Sequence, residues 1–132
     1  MTQTRSVIVE RQLPWPPEKV WRALTQPHLI AEWLMRNDFQ PVMDHAFQLH
    51  GDWGSVNCRV TEIEPPRVLA YTWEAFGLET VVTWTLSPDG AGTHLRLEQA
   101  GFLSEPAHDR FFQGAQQGWA GFLAKLEQVL AA

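Results

Sequence analysis

The sequence predicts an α+β fold: a curved antiparallel sheet of about six strands wrapped on one long C-terminal helix, with two short helices after the first strand. Three observations carry this expectation. Between Ala46 and Ala100 apolar residues recur with a period of two and are punctuated by hairpin turns. From Phe111 to Leu130 they recur on one helical face. Pro17 and Pro27 open two short helical segments just after an initial alternating stretch.

Ser6 to Leu13 alternate as a strand, and Pro14 ends the ladder by removing an N–H. Pro17 suits a first helical position, Glu18 complements the positive helix start, and Val20 and Leu24 share a face. Thr25-Gln26-Pro27 breaks that helix, and Leu29, Ile30, Trp33 and Leu34 form the buried stripe of a second one. The meander turns at Gly51-Asp52, Glu64-Pro65-Pro66-Arg67, Phe76-Gly77 and Asp89-Gly90-Ala91-Gly92.

Leu69, Tyr71 and Trp73 share one strand face, as do Val82, Trp84 and Leu86, and then Leu95, Leu97 and Gln99. Thr72, Thr83, Thr85, Arg96 and Glu98 take the opposite, solvated face. Val56, Cys58 and Val60 fit the dry side, whereas Trp53 and Ile63 fall out of phase and predict a bulge or an end twist.

Ser104 is the expected cap of the last helix, with Glu105 and Pro106 in its first turn. The stripe running from Phe111, Phe112 and Ala115 through Trp119, Phe122 and Leu123 to Leu126, Val129 and Leu130 spans an arc of about 120°. Gly114, Gly118 and Gly121 each cost ~1 kcal/mol relative to Ala, while burial of a large stripe residue contributes ~1.5–3 kcal/mol, so the helix survives them. Gly118, beside Trp119, lets the backbone approach the sheet or bend over a void. Gly114 and Gly121 read equally well as tolerated weak residues.

Composition narrows the class of function. A chain of 132 residues is about one domain, here residues 1–132, and 45% hydrophobic with 19% charged residues is the balance of a soluble globular protein. No stretch approaches the ~20 apolar residues of a membrane span, and the start through Arg5 carries no apolar signal region. One cysteine excludes an internal disulfide, so a reducing cytoplasm is the expected location. A net charge of -5 without basic runs argues against a nucleic-acid partner. Seven tryptophans spread along the chain suit the wall of an apolar cavity.

The stretches Leu13-Pro14-Trp15-Pro16-Pro17-Glu18-Lys19-Val20-Trp21, Val60-Thr61-Glu62-Ile63-Glu64-Pro65-Pro66-Arg67-Val68-Leu69, Tyr71-Thr72-Trp73, Thr83-Trp84-Thr85-Leu86 and Gly118-Trp119 to Leu130 resemble the START-like, polyketide-cyclase superfamily, and Thr25-Gln26-Pro27 through Trp33 agrees. Within it the chain is similar to the branch named after the activator of heat-shock protein 90 ATPase. Gln26 departs from the acidic helix cap usual there. The resemblance implies a helix-grip fold with a deep cavity between sheet and long helix, which relatives use for steroids, lipids, polyketides or other apolar molecules.

Residues expected at the ligand are Trp33, Phe39, Tyr71, Trp73 and Trp84, then Phe102, Phe111 and Trp119, with Cys58 and Gln99 on the inward phase. Each aromatic has ordinary core packing as its alternative. Tyr71 and His108 are weak candidates for an acid or base; Glu74 lies off the inward phase, and Arg11 near a strand end reads as snorkelling to water. Cys58 has no neighbouring His or Lys in sequence to activate it.

No catalytic or metal residue is assigned, because His45, His50, Asp44 and Asp52 do not have zinc-ligand spacing. No phosphate loop or dinucleotide fingerprint suggests a cofactor. The leading expectation is non-catalytic binding of a small hydrophobic or aromatic molecule. The alternatives are a polyketide aromatase/cyclase-like enzyme using the same pocket and a co-chaperone-like interaction module. The strand edges leave a homodimer open.

Overall fold

The structure, a computed structural model, describes residues 3–132. Met1 and Thr2, which begin the segment read as lacking a signal region, lie outside it. The elements run β1 (Thr4–Leu13), α1 (Pro17–Thr25), α2 (Pro27–Trp33), β2 (Arg36–Asn37), β3 (Ala46–Gly51), β4 (Gly54–Glu64), β5 (Val68–Ala75), β6 (Leu78–Asp89), β7 (Gly92–Leu103) and α3 (Pro106–Ala131). Among the described residues the strands form one antiparallel sheet of seven, ordered β1-β7-β6-β5-β4-β3-β2. The strand beyond the six expected is β2, a two-residue pairing of Arg36 with His50 and Asn37 with Leu49, too short to leave a periodic signal.

The helix-grip arrangement follows from one dry sheet face meeting one apolar helix stripe. On β6 and β7, Val82, Trp84, Leu86, Leu95 and Leu97 are buried while Thr83, Thr85, Arg96 and Glu98 between them are not. Trp119, Leu123, Leu126 and Leu130 of α3 are buried in the same core as these residues, and Val20, Leu24, Ile30 and Trp33 of α1 and α2 join them. The ladder shifts register between Val60 and Glu62, the bulge that the phase of Ile63 predicts. Trp53 is out of phase for a different reason, since it sits in the turn between β3 and β4.

The helix boundaries have local causes. α1 and α2 each begin at a proline, and the Gln26 carbonyl between them accepts the Leu29 and Ile30 N–H groups. α3 is capped by Glu105 with no side-chain hydrogen bond, so Ser104 does not cap it; Ser104 instead donates its backbone N–H to Gln3 O at 2.8 Å. Arg5 ties the start of α3 to the sheet. Its guanidinium is 2.8 Å from Asp109 and 2.8 Å from the Leu103 carbonyl, and it lies over the Phe112 ring at 4.6 Å. Gly92 is needed because a Cβ there would collide with the Leu13 carbonyl.

Leu126 is wholly buried in the core shared by sheet and helices. Leu126→Ala should lower unfolding free energy by about 2–5 kcal/mol in equilibrium urea denaturation. A loss below about 1 kcal/mol would mean that the C-terminal half of α3 does not pack as described.

Candidate functional site

The two halves of α3 meet the sheet differently. Beyond Trp119 the stripe residues Leu123, Leu126 and Leu130 are buried, but before it the helix stands off the sheet and leaves a cavity of about 370 Å³. The sheet side is formed by Trp73, Ala75, Leu78, Thr80 and Gln99, with Phe102 at the end of β7 and Met35 beyond α2. The helix side is formed by Arg110, Phe111, Gly114, Ala115, Gly118, Trp119 and Phe122.

Trp119 marks the junction. Its ring is T-shaped to Trp73 at 5.2 Å and to Trp84 at 5.6 Å, and its Nε1 donates to Gln99 Oε1 at 2.7 Å. Gln99 Nε2 then donates to Thr80 Oγ1 at 2.9 Å, and Thr80 Oγ1 donates to the Trp73 carbonyl at 2.9 Å. This buried chain joins α3 to β7, β6 and β5. Each of its side-chain polar atoms has a partner, so this chain brings hydrogen-bonding groups to the inner wall without leaving one of its own uncompensated.

At the opposite end the lining reaches solvent. Trp53 from the β3–β4 turn, Phe76 from the β5–β6 turn and Phe111 of α3 are 50%, 66% and 36% exposed, and Phe76 stands 5.3 Å from Trp53 and 5.8 Å from Phe111. Phe76 and Gly77 make the two-residue turn with φ of 56° and 77°. Asn, Asp or Gly usually fills such positions, and a bulky residue there is strained. Both its conformation and its exposure are costly, and such features concentrate at functional sites.

Of the residues expected at a ligand, Trp73, Gln99, Phe102, Phe111 and Trp119 line this cavity. Trp33, Phe39, Cys58, Tyr71 and Trp84 do not; all five are buried in the core. Trp33 is T-shaped to Trp84 at 5.6 Å and donates to the Ala23 carbonyl at 2.8 Å. Phe39 packs on Phe47 at 5.0 Å. Tyr71 shares a face with Trp73, but its hydroxyl accepts from Trp84 Nε1 at 3.0 Å, two residues nearer the sealed centre of the sheet. A shared strand face therefore places side chains on one side without saying how far along the strand the helix lifts away.

The acid–base candidates are also placed. Burial raises the Tyr71 phenol above its ordinary range, outweighing the hydrogen bond from Trp84. His108 is not in the cavity wall and its Nδ1 accepts the Leu103 N–H at 3.1 Å. Glu74 is exposed, opposite Glu79 across the hairpin, and Arg11 donates to the Glu10 carbonyl at 2.9 Å. Burial, with the charges of Glu74 and Asp38, pushes the Cys58 thiol up to about 12.

His45 lies 3.1 Å from the Asp38 carbonyl and His50 lies 3.0 Å from Ser55 Oγ. Among the described residues no three His, Cys, Asp or Glu side chains converge as a metal site would need. Nor, among them, is any helix long and apolar enough to cross a membrane.

Sequence reasoning missed Met35, Trp53, Phe76 and Arg110 as wall residues. It also left Ala75, Leu78 and Thr80 off the site. The period of β6 read backwards from Val82 reaches Thr80 and Leu78. The signal for Trp53 and Phe76 is a large aromatic ring in a tight turn.

The family model for activator of Hsp90 ATPase homolog 1-like proteins matches residues 14–131. The chain belongs to that family. Its fold is START-like, and a solved relative, protein MLL2253 from Mesorhizobium loti, is 52% identical over 96% of this chain and 97% of its own, with a TM-score of 0.92. CalU16 from Micromonospora echinospora is 27% identical over 96% of this chain and 76% of its own, at a TM-score of 0.83. The Aha1 dimer from Colwellia psychrerythraea, 18% identical over 96% of each chain with a TM-score of 0.84, shares the fold. No curated protein matches the sequence.

A Cβ on Gly114 or Gly118 would meet open space. Alanine at each should therefore stabilise α3 by about 0.5–1 kcal/mol, raising the melting temperature in calorimetry, while the methyl groups narrow the cavity. A fall in stability would mean that the helix backbone there lies against something.

The buried thiol gives a second expectation. The unfolded thiol ionises near 9.0 and the folded one only at about 12, so between those values the unfolded state binds fewer protons and stability falls as pH rises. Tyr71 adds to that fall above its ordinary 10.0. Urea unfolding stepped between pH 9.0 and 10.0 should give a shallower decline for Cys58→Ala than for the parent chain; equal slopes would remove Cys58 from the alkaline limb.

Proposed function

We propose that this protein binds a small apolar, ring-bearing molecule in the cavity between the sheet and α3, holding it without chemistry of its own. The observation that carries the reading is a space of about 370 Å³ walled by aromatic rings, beside a continuous cluster of buried apolar side chains. That volume suits a compact ligand of two or three rings and lies in the ordinary range of small-molecule sites. The residues that narrow or expose the site support the same reading. Two wall glycines weaken α3 without any contact demanding their small size, and Phe76 holds a strained, solvent-facing position at the rim. Stability has been set aside where the cavity is.

The cyclase-like alternative loses its named acid–base groups, because neither Tyr71 nor His108 lines the cavity. The interaction-module alternative rests on the family and on the exposed Trp53–Phe76–Phe111 cluster, which the cavity reading uses as its rim.

The direct test uses N-phenyl-1-naphthylamine, a neutral fluorescent probe. Its emission should rise on addition of protein, and at a hundred times its Kd it should stabilise the fold by about 2.7 kcal/mol in thermal unfolding. Gly118→Leu projects a side chain into the open space and should abolish the emission rise while circular dichroism and cooperative melting persist. Absence of any response to this probe and to a panel of neutral aromatics would refute the proposal. Full binding by a folded Gly118→Leu protein would place the probe elsewhere and refute the assigned site.

A further inference from the structure

We infer that the ligand of this cavity carries one anionic group, a carboxylate or an acid of similar charge, which stays at the rim on Arg110 while its rings enter. The inference rests on the binding reading above and adds the ligand's polarity and orientation.

Two features of the wall point to it. The first is that the polar side-chain atoms of the Trp119–Gln99–Thr80 chain are already matched. Trp119 Nε1, both amide atoms of Gln99 and Thr80 Oγ1 are joined in a chain ending on the Trp73 carbonyl. A charge pushed to that end would leave water without meeting a counter-charge, which is strongly unfavourable. The charged end of a ligand therefore belongs at the mouth.

The second is that Arg110 is the ionisable side chain in the wall. It is exposed and follows Asp109, whose carboxylate is held by Arg5 at 2.8 Å. Among the described residues no carboxylate lies within ion-pair distance of Arg110 itself. It is near the positive end of α3, where the helix dipole does nothing to stabilise a cation. Neither an internal ion pair nor the dipole accounts for a guanidinium here. A planar fork of donors beside an aromatic rim is suited to a carboxylate.

The net charge of the chain works the other way at long range: with 15 acidic and 10 basic residues the protein repels an anion, so the attraction has to come from Arg110, an exposed cation in the cavity wall. At the rim the pair stays in contact with water, so neither partner bears the full cost of desolvation.

The experiment compares 2-naphthoate with 2-naphthalenemethanol, which share a ring system and differ in charge, by calorimetric titration and tryptophan quenching at low ionic strength. The parent chain should bind the naphthoate about tenfold more tightly, the ratio expected of one charge-assisted hydrogen-bonded contact. Arg110→Gln should erase that ratio by weakening the naphthoate alone, and added salt should do the same in part. Arg110→Glu should invert it, favouring 2-naphthylmethylammonium. Because Arg110 is exposed and outside the core, these variants should melt as the parent does.

Equal affinity for the two compounds in the parent chain, or an unchanged ratio in Arg110→Gln, overturns the inference and leaves the cavity reading standing. Binding of neither compound, nor of the neutral probe, overturns both.

Discussion

Trp119 is the constraint on which the rest of the structure depends. It is a core residue and a wall residue at once: its ring meets Trp84 on the sealed side and Trp73 on the open side, and its indole N–H is fixed by Gln99. A wide ring braced in that way holds α3 at a set distance from the sheet. C-terminal to it the stripe closes down through Leu123, Leu126 and Leu130. N-terminal to it, Ala115, Gly118 and Gly114 are too small to reach across, and space remains. Since a buried N–H without an acceptor is costly, the Trp119–Gln99–Thr80 chain also selects one orientation of the ring over its alternatives.

The division of labour along α3 explains how a chain of 132 residues tolerates an unfilled interior. The cavity forgoes dispersion contacts over its whole wall, and the glycines forgo helix propensity. The packed half of the helix offsets this through nearly complete burial of three large side chains, Leu123, Leu126 and Leu130, and Arg5 ties the start of α3 to the sheet through Asp109, the Leu103 carbonyl and the Phe112 ring. Mutations in the packed half should be read through stability and mutations in the open half through the shape of the cavity.

Membership of the family of activator of Hsp90 ATPase homolog 1-like proteins accounts for the architecture and leaves the chemistry to the wall. The same sheet and helix would enclose a different space if Gly118 were larger or if Phe76 were an ordinary turn residue. The rim of Trp53, Phe76 and Phe111 is drawn from two hairpin turns and the start of a helix, which are the places where a START-like fold can change side chains without disturbing its core.

Much of the fold was legible in the chain because its signals are local. Alternation marked the strands, Pro17 and Pro27 marked the helix starts, the phase of Ile63 marked the bulge, and the helical stripe marked the face of α3. The candidate site was legible only in part. Inward phase on a strand or helix grouped Trp73, Gln99, Phe111 and Trp119, which line the cavity, with Trp84, Tyr71 and Cys58, which lie in the core away from it, since periodicity reports which side a residue faces and carries no information about depth. Depth depends on where the helix parts from the sheet. That point is set by contacts between residues distant in sequence: Trp119 against Trp73 and Trp84, and Arg5 against Asp109. The sequence by itself determined the layers and the face that would be dry; only the tertiary structure decided which stretch of that face is sealed and which is open, because a gap is made by the side chains on both of its walls together.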